Sequence, residues 1–193
     1  MRKIALTEIK SIPEYEAVRP VWKKEIVELK KRRRVQVGER ISIHFENRET
    51  LLSQIQEMVR IERMTSPEKV QEEVDVYNEL IPAPHELSAT LFIEVSEPSK
   101  IQEELLSLLG LDESGVVFFE IGKERVFGVF EQGRSTDEKI SSVHYVKFPF
   151  SKGAEDAFRR GEPTFVVVNH PNCKVRIPLP DETRQELLKD LEI

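Results

Sequence analysis

ERISIHFE, residues 39–46, decides the fold class: Ile41, Ile43 and Phe45 alternate with Ser42, His44 and Glu46. Strict period-two alternation puts the apolar side chains on one face of a strand and the polar ones on the other. Val35 and Val37 come just before, across Gly38, so the segment enters a sheet from a short preceding strand. Further strand signals are LSATLFIEV (87–95), VVFFEI (116–121), RVFGVF (125–130), VHYVKFPF (143–150) and TFVVV (164–168), with VRI (175–177) weaker. The two strands around Gly122 read as a hairpin.

Helical periodicity flanks these strands. Trp22, Ile26 and Leu29 form one stripe over 20–31, and Pro20 is expected to stop or kink whatever precedes it. Residues 48–63 and 67–81 read as two more helices, the second with Ser66 as N-cap and Pro67 in the first turn. Shorter helices are expected over 98–109, 152–160 and 181–191. Helices at the front, strands in the middle and a helical tail predict an α+β domain. Its sheet is expected to be mainly antiparallel, with about five to seven strands, within one domain spanning 1–193.

Composition narrows the chemistry. Cys173 is the sole cysteine, so no intramolecular disulfide can form. No apolar run approaches the roughly 18 residues of a membrane span, and MRKIALTEIK lacks a signal-peptide core, so the cytoplasm is the expected compartment. The net charge of −6 disfavours a general nucleic-acid binder. The run Lys30–Arg34 is the local exception, and it sits where a helix C-terminus favours cations. The 33% of charged residues leans toward a thermophilic source.

Candidate site residues come from helix faces and one loop. On 48–63 the apolar face of Leu51, Leu52, Ile55, Met58 and Val59 also contains Arg48 and Glu62. On 67–81 Glu73 falls between Tyr77 and Leu80. A carboxylate on an apolar face must be paired, protonated or at the rim. Glu62 is therefore a frayed-end residue, an ion-pair partner, or one of a functional set with Glu57 and Glu73. The chain has no Glu-x-x-His or His-Glu-x-x-His spacing, and no metal ligand set is assigned.

The loop EQGRSTDEKI (131–140) is long for a hairpin connection. Ser135 and Glu138 have capping-box spacing, which suggests a helical turn. Arg134 would either hold an anionic ligand beside the free amides of that turn, or pair with Asp137, Glu138 or Glu131. His44, His85, His144 and His170 lie on separate elements, and the sequence does not say whether they converge with one another or with Cys173. Glycine-rich phosphate loops and the Gly-x-Ser-x-Gly elbow are missing, and no cofactor is evident.

Six blocks carry a resemblance: YEAVRP (15–20), RRRVQVGERISIHFENRET (32–50), QIQEMVRIE (54–62), YNELIP (77–82), LSATLFIEV (87–95) and FEQGRSTDEKISSVHYVKF (130–148). Together they resemble the uncharacterised bacterial family catalogued as domain of unknown function 3501. The family has no established activity, so the resemblance transfers no catalytic residue. It implies, by association, a role beside rubrerythrin-like proteins and iron–sulfur oxidoreductases. The expected function is thus a non-catalytic accessory or binding protein. The alternative is a small metal- or anion-binding enzyme using the helix carboxylates and Arg134. Homo-oligomerisation is left open.

Overall fold

The structure is a computed structural model and describes residues 1–136 and 138–191. After a 3-10 turn at Leu6–Glu8 come α1 (Ile12–Arg32), β1 (Arg34–Val37), β2 (Ile41–Glu46), α2 (Arg48–Ile61), α3 (Pro67–Asn78) and β3 (Glu86–Ile93). Then follow α4 (Ile101–Leu106), β4 (Val117–Ile121), β5 (Glu124–Phe127), β6 (Val129–Phe130), β7 (Ser135–Thr136), β8 (Lys139–Ile140) and β9 (Val143–Pro149). The chain ends in α5 (Lys152–Arg159), β10 (Thr164–His170), β11 (Cys173–Pro178) and α6 (Asp181–Leu191).

The α+β class and the antiparallel pairing agree with the sequence reading, but the strands divide between two main sheets. One runs β1-β2-β3-β9-β6, the other β11-β10-β4-β5, with β7-β8 as a separate ribbon. Sheets twist, so two smaller sheets facing each other enclose an apolar interior that one wide sheet leaves open. Ile41, Ile43, Phe45, Leu87, Leu91, Val146 and Phe148 of the first sheet meet Val117, Phe119, Ile121, Val166 and Val168 of the second. Phe119 is the hub, with ring centroids 5.7 Å from Phe45, 4.9 Å from Phe148 and 6.1 Å from Phe150. Helices α5 and α6 add Ala154, Phe158, Leu187 and Leu191 to the same interior.

Between β5 and β6 the chain leaves one sheet and joins the other. The crossing point is Gly128, whose amide donates to Val117 O at 2.8 Å. A Cβ there would lie 2.8 Å from Val146 Cγ2 and 3.1 Å from Val117 O, so only glycine lets the strand pass this close.

The outward face of the larger sheet carries Ser42, Glu46, Ser88 and Thr90, all buried. Over the Glu46 end of this face lies a second apolar layer of Leu51, Ile55, Val59, Val70 and Val74 from α2 and α3, packed with Ile4, Leu80 and Ile81. Glu46 accepts hydrogen bonds from Thr50, Gln54 and Thr90, so this carboxylate is buried against neutral donors alone.

Two local expectations are corrected. α1 runs unbroken through Pro20. Proline removes one amide donor, but Pro20 and Glu16 are exposed, so the freed carbonyl of residue 16 faces water. The helical turn expected at Ser135 is instead the β7-β8 ribbon, in which Ser135 pairs with Ile140 and Thr136 with Lys139. Ile140 is buried in the main interior, and burying it holds the segment extended where the capping-box pattern alone favoured a helix.

Candidate functional site

Most sequence-derived candidates are consumed by structural pairing. Arg48 at the start of α2 pairs with Glu8 and donates from Nε to Arg2 O at 3.1 Å, fastening the N-terminal segment. The Ala5 amide and then the Arg48 guanidinium hold the Glu8 carboxyl down at about 2. Glu57 accepts Arg19 Nε at 2.6 Å, Tyr15 Oη at 2.7 Å and Arg60 at 2.9 Å. Arg19 foremost, then Tyr15 and Arg60, keep its carboxyl at about 2. This cluster clamps α1 onto α2 beside Gln56, whose side-chain amide bonds Lys10 N and Lys10 O, each at 2.9 Å.

Glu62 is the exposed C-cap of α2, because the helix ends before that position turns inward. Glu73 is half-buried on α3. No hydrogen bond or ion pair joins Glu62, Glu57 and Glu73 to one another among the described residues. Nor do any three His, Cys, Asp or Glu side chains among those residues group to hold a metal ion.

The histidines do not converge either. His44 packs edge-on against Phe92, and burial lowers its imidazole to about 4. His85 is exposed and meets Glu155 at 2.6 Å. His170 is satisfied by Leu109 O at 2.8 Å and by the Asn172 amide, and Cys173 beside it is half-buried.

His144 differs. Projecting from β9 into the interior, it is fully buried, and its Nε2 lies 2.8 Å from Ser141 O. A carbonyl can only accept, so Nε2 carries the proton. Burial lowers the imidazole pKa, so the ring is neutral near pH 7 and Nδ1 presents a bare lone pair. Nδ1 has no hydrogen-bond partner and lies 3.8 Å from Asp112 Oδ2, beyond hydrogen-bonding range. Among the described residues the other buried side-chain polar atom without a partner is Ser135 Oγ.

Asp112 and Ser135 line a cleft of about 810 Å³ between residues 109–114 and 130–136, and His144 Nδ1 lies 3.8 Å from that Asp112. Its walls include Asp112, Glu113, Glu131, Ser114, Ser135 and Thr136. Gly110 makes the first wall possible. Its φ is +86°, and a Cβ there would stand 3.2 Å from the Glu113 carboxylate folded over it. Arg134, the cation nearest in sequence, is turned to other partners. Its Nε donates to Glu131 at 2.7 Å and its guanidinium stacks 4.6 Å from the Tyr145 ring centroid. The Asp137 alternative for Arg134 lies outside the described residues.

Of this cleft the sequence reading held Ser135 and Arg134 as site candidates and His144 as one of four scattered histidines. It missed Asp112 and Glu113. The signal available was LDESG (111–115), an acidic turn bracketed by Gly110 and Gly115, but nothing local ties that turn to residue 144.

The family described as "Protein of unknown function (DUF3501)" matches residues 3–191. A crystal structure from Burkholderia pseudomallei, titled a novel protein of unknown function, superposes with a TM-score of 0.91 at 26% identity. The match covers 98% of this chain and 100% of that one. No curated protein matches the chain.

Proposed function

Because the chain belongs to the family described as proteins of unknown function, DUF3501, its role has to be read from its own geometry, and we propose that it is a binding protein receiving a polar ligand in the 109–114/130–136 cleft. One observation carries this reading. Ser135 lines the cleft and His144 Nδ1 lies 3.8 Å from Asp112 of its wall, and Ser135 Oγ and His144 Nδ1 are the two buried side-chain polar atoms left without partners among the described residues. A buried polar atom without a partner loses roughly 1–3 kcal/mol, and native proteins rarely leave one unless water or a ligand completes it. Two at one opening favour a ligand site over a packing accident. The volume lies within the range typical of small-molecule pockets, about 300–1,000 Å³.

Native mass spectrometry of the protein purified under non-denaturing conditions tests this directly. A retained small molecule, lost in Asp112→Asn, is the expected result. A bare chain that no metabolite mixture stabilises in thermal melts removes the reading, since a ligand at 100 times its Kd adds about 2.7 kcal/mol.

In this reading the protein is an accessory to rubrerythrin-like or iron–sulfur partners, a role supported by the family resemblance alone. Pull-down from native cells is expected to recover such a partner; recovery of neither kind removes that part. The metal- or anion-binding alternative finds no support in the placement of Glu57, Glu62 and Glu73, or in Arg134, which is already committed to Glu131.

A further inference from the structure

Asp112 and His144 Nδ1 can only accept, and the Ser135 hydroxyl can accept as well, so a donor suits all three. Asp112, whose side chain is 17% exposed, receives no hydrogen bond among the described residues. His144 Nδ1 is a lone pair, because the ring proton is spent on Ser141 O. Ser135 Oγ is unmet as well. At 3.8 Å, Asp112 Oδ2 and His144 Nδ1 are two acceptors facing each other. One donor atom seated about 2.8–3.0 Å from each would bridge them.

Charge points the same way. Among the described residues the cleft walls carry Asp112, Glu113 and Glu131 and no lysine or arginine. Glu131 is neutralised by Arg134, which leaves Asp112 and Glu113 without a cation. An anionic ligand would meet this field unfavourably. A bare metal ion would lack the ligand number that hard cations require, since no group of three ligating side chains forms among the described residues.

A primary ammonium group has three N–H donors, no acceptor and a positive charge. Asp112, His144 and Ser135 supply three acceptor sites. The cleft is far larger than an ammonium ion, so the charged nitrogen would bring an organic body with it. Resting on the binding-protein reading above, we infer that the ligand is a small organic amine, held by its primary ammonium between Asp112, His144 Nδ1 and Ser135 Oγ.

Calorimetric titration of the whole chain near neutral pH tests this, with putrescine and ethanolamine as probes and 1,4-butanediol and succinate as neutral and anionic controls. The 15N resonance of His144 Nδ1 is followed in parallel. Expected are binding of at least one amine and none of either control. Affinity should fall at least tenfold in Asp112→Asn and severalfold in Glu113→Gln, an exposed position where folding is not at stake. On saturation the Nδ1 resonance should move as a lone pair does when it accepts a hydrogen bond. If the diol or succinate binds as tightly as the amines, the amine assignment falls while the cleft stands as a binding site. Binding of no probe also overturns the assignment. If Nδ1 is then already hydrogen-bonded in the free protein and native mass spectrometry finds no ligand, water fills the site and the binding reading falls too.

Discussion

Tyr15 donates its phenol proton to Glu57 at 2.7 Å across the interface between α1 and α2, and burial with the Glu57 charge raises the Tyr15 pKa. That single contact organises two arginines, because the same carboxylate receives Arg19 and Arg60. Tyr15→Phe should therefore cost about 1.5 kcal/mol, the low end for one hydrogen bond to a charged acceptor, because that acceptor keeps its other partners. Glu57→Ala should cost about 2–3 kcal/mol, since it strands a buried hydroxyl. The Glu57 pKa is depressed in the folded state, so its contribution is complete above the unfolded value of 4.5 and disappears as pH falls toward about 2. Urea titrations of wild type and Glu57→Gln should show a constant gap above pH 5 that closes through this window.

Arg33 and Asp190 form an ion pair with both side chains almost fully buried. Arg33 also donates to Phe45 O at 2.9 Å, so the pair fastens α6 and the end of α1 to β2. Asp190→Ala leaves a guanidinium buried without its counter-charge and should cost about 3–5 kcal/mol. The double change Arg33→Met, Asp190→Leu should recover most of that loss, because two buried charges vanish together. Equilibrium unfolding of the three variants gives the answer; equal losses in single and double variants would argue against the pairing.

Gly128→Ala places a methyl 2.8 Å from Val146 Cγ2 and 3.1 Å from a backbone oxygen that cannot give way easily. The expected loss is roughly 1–3 kcal/mol, an overpacking effect with no change of surface charge. Thermal unfolding checks it.

Two histidines set an acid limit. Burial lowers the pKa of His44 to about 4 and also lowers that of His144. Below the ordinary value of 6.5 the unfolded chain binds protons that the folded chain refuses, so stability falls as pH drops through the interval down to about 4 for His44. NMR titration should find the His44 ring neutral at pH 6 and the His144 ring titrating below the ordinary value, and His44→Gln should flatten the stability profile between 6.5 and 4.

The elements were largely legible because period-two and period-3.6 patterns are local. The ERISIHFE signal (39–46) contains β2 (41–46), and Ser66-Pro67 marked the start of α3. What the pattern could not convey was partnership. Gln56 projects away from the apolar stripe of α2 and looks solvent-facing, yet it is buried against Lys10, 46 residues away. Asp112 and His144 meet across 32 positions and five intervening strands. Pro20 misled for a different reason: a missing donor breaks a helix where the freed carbonyl is buried, and here it is not.

The layer of Ser42, Glu46, Ser88 and Thr90 between the two apolar interiors bears on how the molecule breathes. If α2 and α3 lift away from the larger sheet, what they uncover is hydrophilic. Such an excursion wets hydroxyls and a carboxylate that water serves as well as Thr50 and Gln54 do, while the greasy space between the sheets stays sealed. The apolar cost of such an opening is confined to the helices' own layer of Leu51, Ile55, Val59, Val70 and Val74, so the helical cap can open as a separate cooperative unit. Amide exchange should register this as faster turnover in α2 and α3 than in β3 and β4.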